Sequence, residues 1–134
     1  MPKLSDLFID PDAERAGVVV PYKGVKWRIA RQGNPAFNEA WVEELRPLIA
    51  RFGRLADVPE AEAEAALARA RSRTILVGWE GLLDDEGQPV PYSAAKALEI
   101  LSSPRLGHVA RFIEGQSAMD SAYRDAAVEV EAGN

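Results

Sequence analysis

Two kinds of hydrophobic periodicity divide the chain. Between residues 17 and 31 large apolar residues recur at every second position, first as Val18, Val20 and Tyr22 and then as Val25, Trp27 and Ile29, and Lys23-Gly24 separates the two runs. This pattern predicts a β-hairpin with a two-residue turn. Pro21 has no backbone N–H, so its strand is expected at a sheet edge. From residue 33 onward apolar residues recur at intervals of three and four, which is typical of helices. We therefore expect a mostly α domain of four to five helices with an N-terminal β-hairpin.

Start and stop signals place the helices along the chain. Pro35 suits the first position of a helix, and Gly53 is a suitable C-cap for that helix. Pro47 lies between them and should kink the helix or split it. The predicted N-caps of the successive helices are Asn34, Asp57, Ser93 and Ser103.

The stretch from Ile75 to Ser93 carries the strongest local signals. The spacing of apolar residues before it predicts that Ile75-Leu76-Val77 and Trp79 form the last turns of the second helix. A short buried strand is the alternative, because periodicity does not separate the two for so short a run. An acidic turn, Asp84-Asp85-Glu86-Gly87, follows. Pro89 and Pro91 then favour extended backbone.

The length of the chain favours one domain. A chain of 134 residues is long enough for a single core. We expect this domain to cover residues 17–125, with residues 1–16 as a flexible N-terminal arm and residues 126–134 as a frayed C-terminal tail.

Net charge and residue types exclude several classes of function. The net charge of −5 argues against a nucleic-acid partner, and no apolar run approaches the ~20 residues of a membrane helix. Arg69, Arg71 and Arg73 form a local basic run. It is either a solvated helix face or a patch for an acidic partner. The chain has no cysteine, which excludes disulfides and thiolate chemistry.

Sequence signatures of catalysis and of metal binding are missing. The chain has one histidine, His108, which is expected to be a partly exposed surface residue. The acidic turn lacks the ligand spacing of a calcium loop. No phosphate-binding glycine loop is present. We expect no enzyme activity, no cofactor and no metal.

Two motifs, in this order, resemble the tail assembly chaperones of long-tailed bacteriophages. The first is a hairpin ending Arg28-Ile29-Ala30-Arg31, followed by Gly33-Asn34-Pro35-Ala36-Phe37 and a helix. The second is Gly78-Trp79-Glu80-Gly81, then Asp84-Asp85-Glu86-Gly87, then Pro89-Val90-Pro91-Tyr92-Ser93 and a helix. Together they span about residues 17–115.

The resemblance implies a function and partners. Such chaperones are helical, non-enzymatic proteins that self-associate and coat the tape measure protein, keeping it soluble until the tail tube polymerises around it. The implied partners are the tape measure protein, further copies of the chain and the tail tube protein. The implied location is the host cell cytoplasm, and the protein is not part of the mature virion. A host-protein adaptor or inhibitor and a minor tail-completion component are the alternatives.

On this resemblance, seven residues are candidates for contact with partners. The hairpin edge is the candidate for self-association, and a second group is the candidate for packing or for contact with the tape measure protein. The alternative is that all of them close the core of the domain. The two groups are Val18, Val20 and Tyr22, and Trp79, Leu82, Val90 and Tyr92.

Overall fold

A computed structural model describes residues 3–9 and 11–119 of the chain. Within these residues, α1 (Pro11–Ala16) is followed by the strands β1 (Val18–Tyr22) and β2 (Val25–Ile29), and then by the helices α2 (Pro35–Phe52) and α3 (Glu60–Thr74). β3 (Leu76–Glu80), α4 (Ala94–Ser102) and α5 (Gly107–Ser117) complete the order. The mostly α fold with an N-terminal hairpin is confirmed.

The hairpin forms as predicted because its turn suits the twist of the strands. Lys23 and Gly24 have φ values of 54° and 80°, and two successive positive φ angles are the signature of a type I′ turn. Val20 lies opposite Trp27, and Tyr22 opposite Val25. The β2 residues that face inward are buried, whereas Lys26 and Arg28 on the other face are exposed.

The segment after α3 is a strand, so the predicted continuation of the second helix is wrong. The helix ends at Thr74, and Leu76–Glu80 pairs antiparallel with β2 to give a sheet of order β1-β2-β3. Trp79 lies opposite Trp27, with ring centroids 6.1 Å apart and ring planes at 72°. The extended conformation is stabilised by this cross-strand aromatic pair and by the full burial of Ile75 and Leu76.

Three of the predicted helix boundaries are confirmed. The Asn34 side chain accepts a hydrogen bond from the N–H of Phe37 at 3.0 Å, and Ser93 accepts one from Lys96 at 3.0 Å. Gly53 caps α2 with φ 90°. α2 continues through Pro47 as one helix, so Pro47 does not split it.

Two of the predicted caps are wrong. α3 is preceded by Pro59, and Asp57 instead pairs with Arg54 at 3.1 Å in a short 3₁₀ turn. Ser103 precedes another 3₁₀ turn and makes no side-chain cap bond; α5 begins at Gly107.

One core joins the sheet to the helices. α3 lies between α2 and α4, and α5 packs against α4 and β2. On α4 the buried residues are Ala97 and Ile100, whereas Ala94 is exposed. The buried cluster consists of Val25, Trp27, Ile29, Phe37, Ala40, Ala70, Ile75, Leu76, Ala97, Ile100, Val109 and Ile113.

Part of the predicted N-terminal arm contacts the body of the domain. Residues 11–16 form α1, and its Glu14 accepts a hydrogen bond from the Arg31 side chain at 3.2 Å. The N–H of Arg31 also donates to the Glu14 carbonyl at 3.0 Å. The predicted tail, residues 126–134, and the predicted domain end at residue 125 lie outside the described residues.

Candidate functional site

The loop after β3 folds back on itself through the acidic turn. The Asp84 carboxylate accepts hydrogen bonds from the N–H groups of Glu86 at 3.0 Å and Gln88 at 2.9 Å. Such self-bonding is what makes Asp a turn former. Leu83 and Pro89 then form a bridge, so residues 82–90 make a small hairpin-like loop. The acidic residues therefore shape a turn.

Two aromatic side chains fasten this loop to the body. The indole N–H of Trp79 donates to the Val90 carbonyl at 2.8 Å. The Tyr92 hydroxyl donates to the Leu76 carbonyl at 2.7 Å, with the Ser72 carbonyl at 3.1 Å as a second acceptor. The Trp79 and Tyr92 rings lie 4.9 Å apart at 74°. Burial raises the pKa of Tyr92, which keeps the hydroxyl protonated and able to donate.

An open groove lies between the fastened loop, the tip of the hairpin, and helices α4 and α5. Its volume is about 570 Å³. Leu82 and Val90 line it from the loop, as do Ile100 from α4 and Val109 from α5. The full set of lining residues, called the groove below, is Lys23, Val25, Trp27, Leu82, Leu83, Asp84, Asp85, Val90, Lys96, Glu99, Ile100, Ser103, Leu106, His108 and Val109.

Four charged side chains at the rim of the groove, those of Lys23, Asp84, Lys96 and Glu99, interact with residues of their own segment. Lys96 pairs with Glu99 at 2.6 Å along one helix, and Asp84 is bonded to its own turn. Lys23 lies over the Tyr22 ring, 5.8 Å from its centroid. These interactions do not cross the groove, and Leu83 at its edge is 56% exposed. The arrangement is an apolar floor with a polar rim, open to solvent.

The four loop-side candidates fall into two roles. Leu82 and Val90 line the groove. Trp79 and Tyr92 instead hold the loop in place through the hydrogen bonds described above.

The hairpin candidates face the body of the domain. Val18 and Val20 are half-buried and share a face with Tyr22. The Tyr22 ring stacks on Phe112 with centroids 4.2 Å apart at 9°, and its hydroxyl lies 3.1 Å from Nδ1 of the exposed His108. In a two-residue hairpin with this register, the outward backbone groups of β1 belong to Val19 and Pro21. Since proline has no N–H, Val19 alone of these two offers a donor.

The arginine run on α3 is used within the domain. Arg69 and Arg73 bond to Glu44 at 2.7 and 2.8 Å, and Arg73 also reaches Glu43 at 3.2 Å. Arg71 pairs with Glu114 at 3.2 Å. Burial raises the pKa of Glu44, but the hydrogen bonds and charges of the two arginines outweigh it, so its pKa lies below the usual value. We call Glu43, Glu44, Arg69 and Arg73 the arginine–glutamate seam.

Residues 3–9 and 11–119 were compared with the requirements of a metal site and of a membrane-spanning helix. These residues contain no group of three or more histidine, cysteine, aspartate or glutamate side chains placed to hold a metal ion. Nor do they include a helix that is both long and apolar enough to cross a membrane.

Comparison with known proteins identifies a family. A family described as YdaY prophage protein matches residues 32–134, more than half of the chain. The chain belongs to this family. It is therefore a prophage protein. Among curated proteins and among solved structures, none matches it.

The family match covers most of the groove. The loop, α4 and α5 lie within residues 32–134, whereas β1 and β2 precede the matched segment. Sequence reasoning found the loop residues Leu82 and Val90 but missed Ile100, Leu106 and Val109. All three residues are apolar, but their positions in the sequence did not show that the folded chain places them beside the loop.

Proposed function

We propose that this prophage protein is a non-enzymatic tail assembly chaperone that binds the tape measure protein and keeps it soluble. Two findings support the proposal: the chain belongs to a prophage family, and its motifs resemble those of tail assembly chaperones. The chaperone acts in the host cell cytoplasm and is left out of the mature virion. The tail tube protein displaces it as the tube polymerises.

The observation that carries the proposal is the open apolar groove. Its floor joins the core, because Val25, Trp27 and Ile100 belong to both. The groove is therefore rigid at its base, and an incoming apolar side chain meets preformed walls. An amphipathic helix binds such a groove through residues spaced at three and four positions. No bond is made or broken in this function.

Many copies would act together on one client. A long helical protein presents the same kind of apolar stripe repeatedly, and each copy of the chain covers one part of it. Weak individual contacts add up when neighbouring copies also touch each other, because the second contact becomes intramolecular. Self-association is therefore part of the proposed function.

Co-expression with the tape measure protein of the same prophage tests the proposal. Leu83→Asp places a charge in the groove at a residue that is 56% exposed. Leu55→Asp is the matched control, since Leu55 is 49% exposed and lies outside the groove. We expect the wild type and the control to keep the tape measure protein soluble and to co-purify with it. Leu83→Asp should lose both properties.

The alternatives give different outcomes in the same experiment. A host-protein adaptor or a tail-completion component would leave tape measure solubility unchanged, with or without the groove substitution. No rescue by the wild type, or equal rescue by Leu83→Asp, would overturn the proposal.

A further inference from the structure

A second apolar surface lies on the outer side of α2. The inner side of this helix, with Phe37 and Ala40, packs against α3. Val42 and Ile49 are 53% and 39% exposed, and Leu45 lies half-buried between them. Spacings of three and four residues place all three on one side of a helix. We call Val42, Leu45 and Ile49 the outer stripe.

Two opposite charges flank the outer stripe on the same side. Glu39 and Arg46 are both exposed and stand seven residues apart, which places them at nearly the same angle around a helix and about 10 Å apart along it. That separation is too long for them to pair with each other. Within the part of the chain that the structure describes, neither side chain makes an ion pair. The neighbouring Glu43 and Glu44, by contrast, pair with α3.

We propose that the outer stripe is the contact between two copies of this chain, with their α2 helices packed antiparallel. A two-fold axis near Val42 places Glu39 of each copy beside Arg46 of the other, because a symmetric contact uses every interaction twice. Val42 then meets Val42 of the second copy at the centre. The charge order along α2 is thus complementary to its own reverse, which favours a second copy over an unrelated partner.

This surface suits self-association better than the hairpin edge does. The side chains of Val18, Val20 and Tyr22 face the domain, and Pro21 removes a backbone donor from the β1 edge. The α2 helix has 18 residues and is about 27 Å long. A contact between two such helices is small, and interfaces below ~1,200 Å² are mostly weak and transient. Weak pairing fits copies that must later leave a client.

The role given to this contact rests on the proposed function, whereas the contact itself rests on α2 alone. Sedimentation equilibrium of the purified chain, without any client, therefore tests it separately. We expect a concentration-dependent dimer in the wild type. Glu39→Lys and Arg46→Glu should each raise the dissociation constant by at least about tenfold, because each reversal creates two like-charge contacts.

The double variant Glu39→Lys with Arg46→Glu is the decisive comparison. It exchanges the two charges and should restore the dissociation constant to within about threefold of the wild type. Val42→Asp should abolish the dimer, and Leu55→Asp should leave it unchanged. All of these side chains are exposed, and circular dichroism verifies that each variant is folded. The proposal is wrong if the wild type stays monomeric at every concentration, or if the double variant is as weak as the single variants. Loss of the dimer in Leu55→Asp would contradict it as well.

The client experiment separates the two proposals. If the dimer follows the charge exchange but the tape measure protein is not kept soluble, the contact stands and the proposed function fails. If the client is rescued by a chain that does not dimerise through α2, the proposed function stands and this inference fails.

Discussion

The arginine–glutamate seam and the groove both contain charged side chains, but these side chains pair in different ways. In the seam, arginines of α3 reach across to Glu43 and Glu44 of α2. In the groove, Lys96 pairs with Glu99 of its own helix, and Asp84 bonds to its own turn. The charges of the seam link two helices across their contact, whereas Lys96, Glu99 and Asp84 interact within one element and do not bridge the groove.

The difference shows why apolar residues stay accessible in one place and not in the other. The seam links α2 to α3, and its Arg73 also donates to the carbonyl of the buried Ala40 at 3.4 Å. In the groove, Leu82 and Val90 have no such cover. We therefore expect substitutions in the seam to change stability and substitutions at the groove edge to change binding.

The largest effect is expected where the groove floor and the core coincide. Trp27 is 3% exposed, contacts Trp79, and donates from its indole to the Tyr22 carbonyl at 3.1 Å. Trp27→Ala should lower the free energy of unfolding by about 3–5 kcal/mol, measured by urea denaturation. Val19→Ala, at an exposed position of the same hairpin, should cost less than about 0.5 kcal/mol. A Trp27→Ala cost below about 1 kcal/mol would mean that the floor is not part of the core.

The seam should show a smaller effect that depends on pH. Glu44→Gln should cost about 1–2 kcal/mol at pH 7, because two charge-assisted hydrogen bonds are weakened. The pKa of Glu44 is lower in the folded state than its ordinary 4.5. Its stabilisation is therefore present above pH 4.5 and is lost as the pH falls through the folded pKa. Denaturation curves of the two proteins should converge at low pH.

Glu39→Gln is the matched control for the seam, since Glu39 is exposed. At concentrations where the chain is monomeric, this substitution should leave the free energy of unfolding unchanged at pH 7 and at low pH. A pH-independent difference between Glu44→Gln and the wild type would contradict the assigned role of the two arginines.

The smallest effect on stability concerns the fastening of the loop. Trp79→Phe keeps an aromatic ring but removes the hydrogen bond to the Val90 carbonyl, at a cost of about 0.5–1.5 kcal/mol. Amide hydrogen exchange should become faster in residues 82–90 and stay unchanged in α2. Equal acceleration in both regions would show that Trp79 acts on the whole domain and not on the loop.

Local signals in the sequence were enough for the hairpin and for several helix ends. The turn and cap residues act through their own backbone or through residues three or four positions away: Lys23-Gly24, Asn34, Ser93 and Gly53. A single stretch of sequence therefore contains what determines the turn or the helix end. The third strand could not be assigned in the same way. Trp79 pairs with Trp27, which lies about fifty residues earlier, and that partner decides between strand and helix.

The candidate site was predictable in part for the same reason. Leu82 and Val90 stand out beside a turn and two prolines, and both line the groove. Tyr22 stands out equally in sequence, yet it stacks on Phe112 of α5. The seam was visible in the sequence only as the basic run of Arg69, Arg71 and Arg73, because the glutamates that pair with it lie on another helix. The periodicity of one segment does not reveal its contacts with distant segments.

Hydrogen exchange of the chain with and without the tape measure protein shows directly whether the groove binds this client. We expect at least about tenfold slower exchange in residues 82–90 and at the tip of the hairpin, with no change in the amides of the arginine–glutamate seam. The Leu83→Asp variant should show no protection. Protection confined to another surface, or unchanged exchange in a complex that does form, would contradict the assignment of the groove as the client-binding site.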